Sequence, residues 1–133
     1  MSGALLDTSV LIASEITVGE LPPSAAISVV TLGELHAGVH LARTDQTRKL
    51  RQRRLDAIRI AFAPIPVDEP VAEHYGKVLA LARRERRGAK ATDVLIIATA
   101  AATSRTLHTL DTAQAQLARS ADVVVAEMVS FHT

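Results

Sequence analysis

The chain has 133 residues, of which 48% are hydrophobic and 22% charged, with a net charge of +1. That length lets one domain bury enough apolar surface to fold without disulfides or a structural metal, and the absence of cysteine excludes thiol nucleophiles and thiolate metal sites. Aromatic residues make up only 2%, so stacking of bases on exposed rings is hardly available as a way to hold single-stranded nucleic acid.

The N-terminus, Met-Ser-Gly-Ala-Leu-Leu-Asp, has no basic leader and does not read as a secretory signal. Ala4 to Leu6 is a short apolar run entering Asp7-Thr8-Ser9, the pattern of a strand passing into a capped helix. Ala25 to Val30 is a second strand, and from Thr31 the residues Leu32, Leu35, Val39 and Ala42 recur at helical spacing. A long basic helix covers Asp45 to Ala61, with Leu50, Leu55, Ile58 and Phe62 as its apolar stripe and Pro64 closing it. Ile65 to Val67 reads as a brief strand. Pro70 suits the first turn of the next helix, which runs to Gly88.

Thr92 is expected to cap a helix through Ala102. Val94 to Ala102 is the longest apolar run and falls well short of the ~20 residues of a membrane span. Thr106 to Leu110 returns as strand, Asp111 opens a helix to about Ala118, and Val123 to Ala126 completes the sheet. Short apolar strands alternating with helices predict an α/β fold: a three-layer α/β/α sandwich around a mainly parallel sheet. With no repeat or linker, residues 1–133 read as a single domain, soluble and cytoplasmic.

Charge is unevenly spread. One basic stretch lies between Arg43 and Arg59; a shorter one contains Arg83, Arg84, Arg86, Arg87 and Lys90. Acids fall instead at element junctions. Asp7 and Asp111 follow strands, Asp93 starts a helix, and Glu34 lies a turn into another. In an open parallel sheet these are the places where ligands collect.

Each acid has an ordinary explanation, as a helix cap, a dipole partner or a solvated side chain. Their faces argue otherwise. Asp93 shares a helical side with Ile96, Ile97 and Ala100, and Asp7 with Val10 and Leu11, so these carboxylates continue apolar stripes. Glu34 is one turn from Gly38, which would let another segment approach closely. Two carboxylates ~5 Å apart repel by about 3 kcal/mol at an effective dielectric near 20. Four in one place need a counter-charge, and oxygen donors without thiols favour Mg²⁺ or Mn²⁺. Such chemistry suits metal-assisted hydrolysis of phosphodiesters.

The order Leu5-Leu6-Asp7-Thr8-Ser9, Thr31-Leu32-Gly33-Glu34, Thr92-Asp93-Val94 and Thr109-Leu110-Asp111 resembles the PIN-domain family, and within it the toxin half of VapBC toxin–antitoxin pairs. The likeness runs over essentially the whole chain. It implies a metal-dependent endoribonuclease whose acids Asp7, Glu34, Asp93 and Asp111 are both catalytic and metal-binding. Ser9 and Thr109 match supporting hydroxyl positions. RNA is the implied substrate, cut to 3′-hydroxyl and 5′-phosphate ends, and the partners are a cognate antitoxin and a second copy in a homodimer. One position departs from the pattern: many relatives carry an aromatic residue where this chain has Gln114.

Arg83, Arg84, Arg86, Arg87 and Lys90, close before Asp93, are the candidate RNA-binding group, since the guanidinium fork suits phosphate. His36 and His40 have a chelating spacing, but Glu34 lies about 200° around the helix from His36, so the three cannot share a cation. His74, His108 and His132 fit no pattern. A non-cleaving RNA- or protein-binding module is the alternative reading. A phosphatase with Asp7 as nucleophile is a poor one, because Ser9 stands where a second acid is wanted.

Overall fold

Three apolar residues, Ala4–Leu6, form strand β1 and divide their side chains between two cores. Ala4 and Leu6 point into one with Val10, Leu11, Ile27, Leu35, Leu55 and Ile58. Leu5 points into the other with Val78, Val94, Ile97, Leu107 and Leu117. A strand buried on both faces needs helices on both sides, and these two clusters are the two interlayer cores of an α/β/α sandwich.

The computed structural model describes residues 3–13, 21–22 and 24–127. After β1 come α1 (Thr8–Ile12), β2 (Ile27–Ser28), α2 (Val29–His40), α3 (Asp45–Ala61), β3 (Pro64–Ile65), α4 (Glu69–Arg84), α5 (Ala91–Thr103), β4 (Thr106–Thr109), α6 (Thr112–Ser120) and β5 (Val125–Glu127). The strands pair in parallel as β1-β4-β5 and as β2-β3. A parallel bridge between Leu5 and Ala26 joins the two groups into one order, 3-2-1-4-5. The α1–α3 side chains supply the first core and the α4–α6 side chains the second. No described helix is long and apolar enough to cross a membrane. His132 lies outside the described residues.

Several boundaries differ from the sequence expectation. The second strand is only Ile27–Ser28, because the Ser28 hydroxyl accepts the Val30 N–H at 3.0 Å and turns the chain into α2 two residues early. Capping there overrides the β-preference of Val29 and Val30. The third strand is Pro64–Ile65 rather than 65–67, with Val67 exposed. Thr92 does not cap α5: Lys90 holds that position without a side-chain bond. The helix is held instead by its buried run from Val94 to Ala100.

Gly88 does not end α4. The chain leaves the helix at Glu85, with Arg86 in the left-handed region at φ 57°. Arg86 N–H bonds to Arg83 O and Arg87 N–H to Ala82 O, the reciprocal pair of a Schellman termination. Asp122, at φ 63°, closes α6 in the same way, its N–H bonding to Arg119 O and that of Val123 to Ala118 O. Non-glycine residues in this conformation carry a cost of roughly 1–2 kcal/mol. Arg86→Gly is therefore expected to raise stability by about 1 kcal/mol, read as a higher denaturant midpoint at unchanged slope; a lower midpoint would mean that the Arg86 side chain contributes more than its backbone costs.

Gly38 also behaves differently from expectation. A Cβ there would meet nothing within 4 Å, so no segment packs closely against it. It borders open space beside Glu34, and its carbonyl accepts from Arg51 Nη1 at 2.6 Å.

Candidate active site

The strand order reverses direction between β1 and β4, so their carboxyl ends open a crevice at the switch point of the sheet. Asp7 leaves β1 at this crevice and Thr109 ends β4 beside it. The N-termini of α1, α5 and α6 bring Asp7, Asp93 and Asp111 to their first turns or caps. Three positive helix ends near three acids offset part of the repulsion among them.

Asp7 is buried, and among the described residues its Oδ2 collects the bonds made to its carboxylate: Ser9 Oγ at 2.7 Å, Thr109 Oγ1 at 3.0 Å and Ser9 N–H at 3.4 Å. Ser9 Oγ in turn accepts the Leu110 N–H at 3.0 Å, and Thr109 Oγ1 accepts the Asp111 N–H at 2.9 Å. The two hydroxyls thus tie the exit of β1 to the β4–α6 turn, about one hundred residues away. Asp111 is exposed, and its Oδ1 caps α6 by accepting Gln114 N–H at 3.1 Å. Capping is therefore a true role of both Asp7 and Asp111, alongside their place at the crevice.

Glu34 is half-buried on α2 and is held by Thr8 Oγ1 at 2.6 Å. Asp93, half-buried at the start of α5, reports the arrangement electrically. Its pKa is pushed up to about 6, first by burial and then by the charges of Asp7, Asp111 and Glu34, with Lys90 pulling it back. Four acids from four separate segments thus share one field. Among the described residues, however, no three Asp, Glu or His side chains stand close enough to chelate a cation as placed. The two facts are compatible: charges act over several ångströms, whereas coordination needs oxygens about 2.0–2.6 Å from the ion. The donors are hard oxygens in a chain without cysteine, a set that fits a divalent cation of the magnesium type.

The basic candidates divide. Arg87 lines a cavity of about 260 Å³ together with Asp93, Asp111 and Gln114, and pairs with Glu85 at 2.8 Å and Ser120 at 3.2 Å. Lys90 is near enough to act on Asp93. Arg83, Arg84 and Arg86 are exposed around the end of α4. On the other side of the acids, Thr8 and Glu34 border a cavity of about 570 Å³ with Ile12, Leu50, Arg51 and Arg54. Arg54 also donates to Leu11 O and Ala13 O, closing the C-terminus of α1. His36 and His40 are both exposed.

Sequence reasoning missed Thr8 and Gln114. Thr8 directly follows the first acid, which was a signal of sorts; its partner Glu34 is 26 residues on and only the fold brings them together. In the sequence Gln114 stands out only as a departure from the family pattern. In the structure it is buried against Thr109.

Four acids thus share one field at the switch point of the sheet, with two hydroxyls behind the most buried of them. The PIN domain model matches residues 4–120, and the chain belongs to the PIN-domain family. It is 43% identical to Ribonuclease VapC8 of Mycobacterium tuberculosis over 100 residues, covering 72% of this chain and 88% of that protein. Its fold matches the crystal structure of VapBC-5, a member of the VapBC family of toxin–antitoxin systems from the same organism, with a TM-score of 0.84 and 30% identity over 96% of this chain and 100% of that one. FitAcB from Neisseria gonorrhoeae gives a TM-score of 0.75 at 30% identity, over 92% and 95% of the two chains.

Proposed function

We propose that this chain is a divalent-metal-dependent endoribonuclease, the toxin of a toxin–antitoxin pair, hydrolysing RNA phosphodiester bonds with water. The observation that carries this reading is the shared field at Asp93, where the charges of Asp7, Asp111 and Glu34 meet. The VapC ribonucleases it resembles support the same chemistry. A module that only bound RNA or protein would have no use for a half-buried carboxylate raised to about 6 by burial and by three other acids.

Asp7, Glu34, Asp93 and Asp111 would hold the cation, Mg²⁺ or Mn²⁺. When bound, such an ion makes water acidic enough to attack near neutral pH and neutralises charge on the phosphate oxygens. The chain's own residues do the rest. Ser9 and Thr109 fix one oxygen of Asp7, and Thr8 fixes Glu34. A single RNA strand would cross the acids from the cavity at Arg87 to the one at Arg51 and Arg54, its phosphates flanked by guanidinium groups. Residues 1–133 act as one domain on this reading, in the cytoplasm, as a homodimer silenced by a cognate antitoxin.

Purified protein incubated with mixed RNA and Mg²⁺ or Mn²⁺ is expected to leave 5′-phosphate and 3′-hydroxyl ends, and chelator is expected to stop the reaction. Cyclic 2′,3′-phosphate ends would instead mean attack by the ribose hydroxyl and a different site. Arg87→Ala is expected to weaken RNA binding and to reduce the salt slope by about 0.7 in log–log units, the value for one lost phosphate contact on a single strand. An unchanged slope would assign Arg87 to its bonds with Glu85 and Ser120 alone.

A further inference from the structure

Thr109 is fully buried, and its hydroxyl meets more partners than one proton can serve. Oγ1 lies 3.0 Å from Asp7 Oδ2 and 2.9 Å from Gln114 Oε1, both acceptors, while it accepts the Asp111 N–H at 2.9 Å. If the proton goes to Gln114, the Thr109 oxygen faces a carboxylate oxygen with lone pairs opposed. If it goes to Asp7, it faces the Gln114 oxygen in the same way. Meanwhile Gln114 Nε2 is buried with no partner among the described residues.

A half-turn of the terminal amide resolves these conflicts. Nε2 then donates to Thr109 Oγ1, and Thr109 donates to Asp7 Oδ2. The amide's two ends are distinguished by their hydrogen-bond network, and this assignment removes the close oppositions at 2.9 and 3.0 Å, leaving only the longer 3.4 Å approach of Ser9 Oγ to Thr109 Oγ1. The oxygen left over is an acceptor, which tolerates an unmade bond better than a buried N–H does. A glutamine only 3% exposed would be a costly way merely to fill space, because its amide loses water and needs replacement partners.

We propose, resting on the nuclease reading above, that Gln114 is a positioning residue for the first acid. Its amide N–H locks the Thr109 rotor with the hydroxyl donating to Asp7 Oδ2, so that, among the described residues, Asp7 is held by one oxygen and Oδ1 is left for ligation. Its backbone N–H also donates to the Asp111 Oδ1 that caps α6, so the residue is bonded into both ends of the acid set. The polar residue at this position thus supplies a donor that an aromatic ring would lack.

The test uses two near-isosteric variants. Gln114→Met removes the donor and keeps the length, and Gln114→Glu replaces the donor by an acceptor. Both are expected to lower kcat for RNA cleavage by ~10–100-fold, the range typical of residues behind metal ligands, and to weaken Mn²⁺ binding in calorimetry. KM should stay within about 2-fold, since the lost contact is not one with RNA. Because Gln114 acts through the Thr109 hydroxyl, adding Gln114→Met to Thr109→Val should cost nothing further, whereas independent packing roles would multiply. Thr109→Ser, which keeps the hydroxyl, should stay sensitive to Gln114→Met.

In the unsubstituted protein, the Gln114 side-chain amide protons should resist solvent exchange and show a nuclear Overhauser contact to Thr109. This readout does not depend on cleavage. A wild-type protein that binds Mn²⁺ but leaves RNA intact would sink the nuclease reading and leave the relay to the spectrum. Unchanged kcat in Gln114→Met, multiplied losses in the double variant, or a freely exchanging amide would each overturn the proposal.

Discussion

Asp7→Asn is expected to lower RNA cleavage to ~1% of the unsubstituted rate or less while leaving the fold intact. Asparagine has the same shape, and its amide oxygen can keep the bonds that Ser9 and Thr109 make to Oδ2. What it loses is the charge. The position is 4% exposed, so water cannot substitute for a missing carboxylate there. Removing a residue behind the ligands typically costs 10–100-fold in affinity or rate, and removal of a ligand itself should exceed that. The matching stability measurement separates this from unfolding: with one of four mutually repelling charges gone, the metal-free melting midpoint should hold or rise. Residual cleavage near the wild-type rate would place the chemistry elsewhere.

Asp93→Asn is expected to do two things at once: stop cleavage and stabilise the metal-free protein at neutral pH. The sign follows from the proton balance. The ordinary value of 3.8 is raised to about 6 in the fold, so between those pH values the native chain holds a proton that the unfolded chain has released. Stability therefore rises as pH falls from above 6 towards 4, and falls as pH rises through 6. Burial and the three acids both act against the charged form, and asparagine removes that penalty permanently. Thermal melts in chelator at pH 7.5 and pH 5.5 should show the unsubstituted protein gaining on Asp93→Asn at the lower pH, a comparison in which the opposite contribution of His108, its pKa lowered by burial, is common to both. The pH 7.5 midpoint of Asp93→Asn should exceed that of the parent. Because protons and cation compete for the same carboxylate, Mn²⁺ affinity should also weaken below about pH 6. A variant less stable than its parent at pH 7.5 would mean that Asp93 makes a favourable contact outweighing the repulsion.

Much of this architecture was legible in the residues, and the reasons differ by element. β1 and α5 stand out because apolar runs, broken in α5 only by Thr99, report burial on several sides, and α3 because Leu55, Ile58 and Phe62 recur at helical spacing, although Leu50 of the same stripe is exposed. Boundaries were harder. The end of α4 falls at an arginine in the left-handed conformation, where sequence reasoning expects glycine, and α2 begins at a serine cap hidden inside a β-branched run. The four acids could be singled out because strand ends and helix starts are where an open sheet gathers ligands. Ser9 and Thr109 could be named only through the family resemblance, and the amide contact of Gln114 not at all. The bond from Thr109 to Asp7 joins residues 102 apart, and depends on how the β4–α6 turn sits against the exit of β1. Gly38 shows the opposite failure: a glycine one turn from an acid suggested a close approach, and the fold puts open space there.

The central claim, that side chains from four segments form one cation-holding pocket, is tested most directly by crystals grown with Mn²⁺ and an anomalous difference map. The expected result is strong density at the β1–β4 crevice, with oxygens of Asp7 and at least one of Asp93, Asp111 and Glu34 about 2.0–2.6 Å away. Density at His36 and His40 or at the α3 surface, with the crevice acids turned apart, would contradict it.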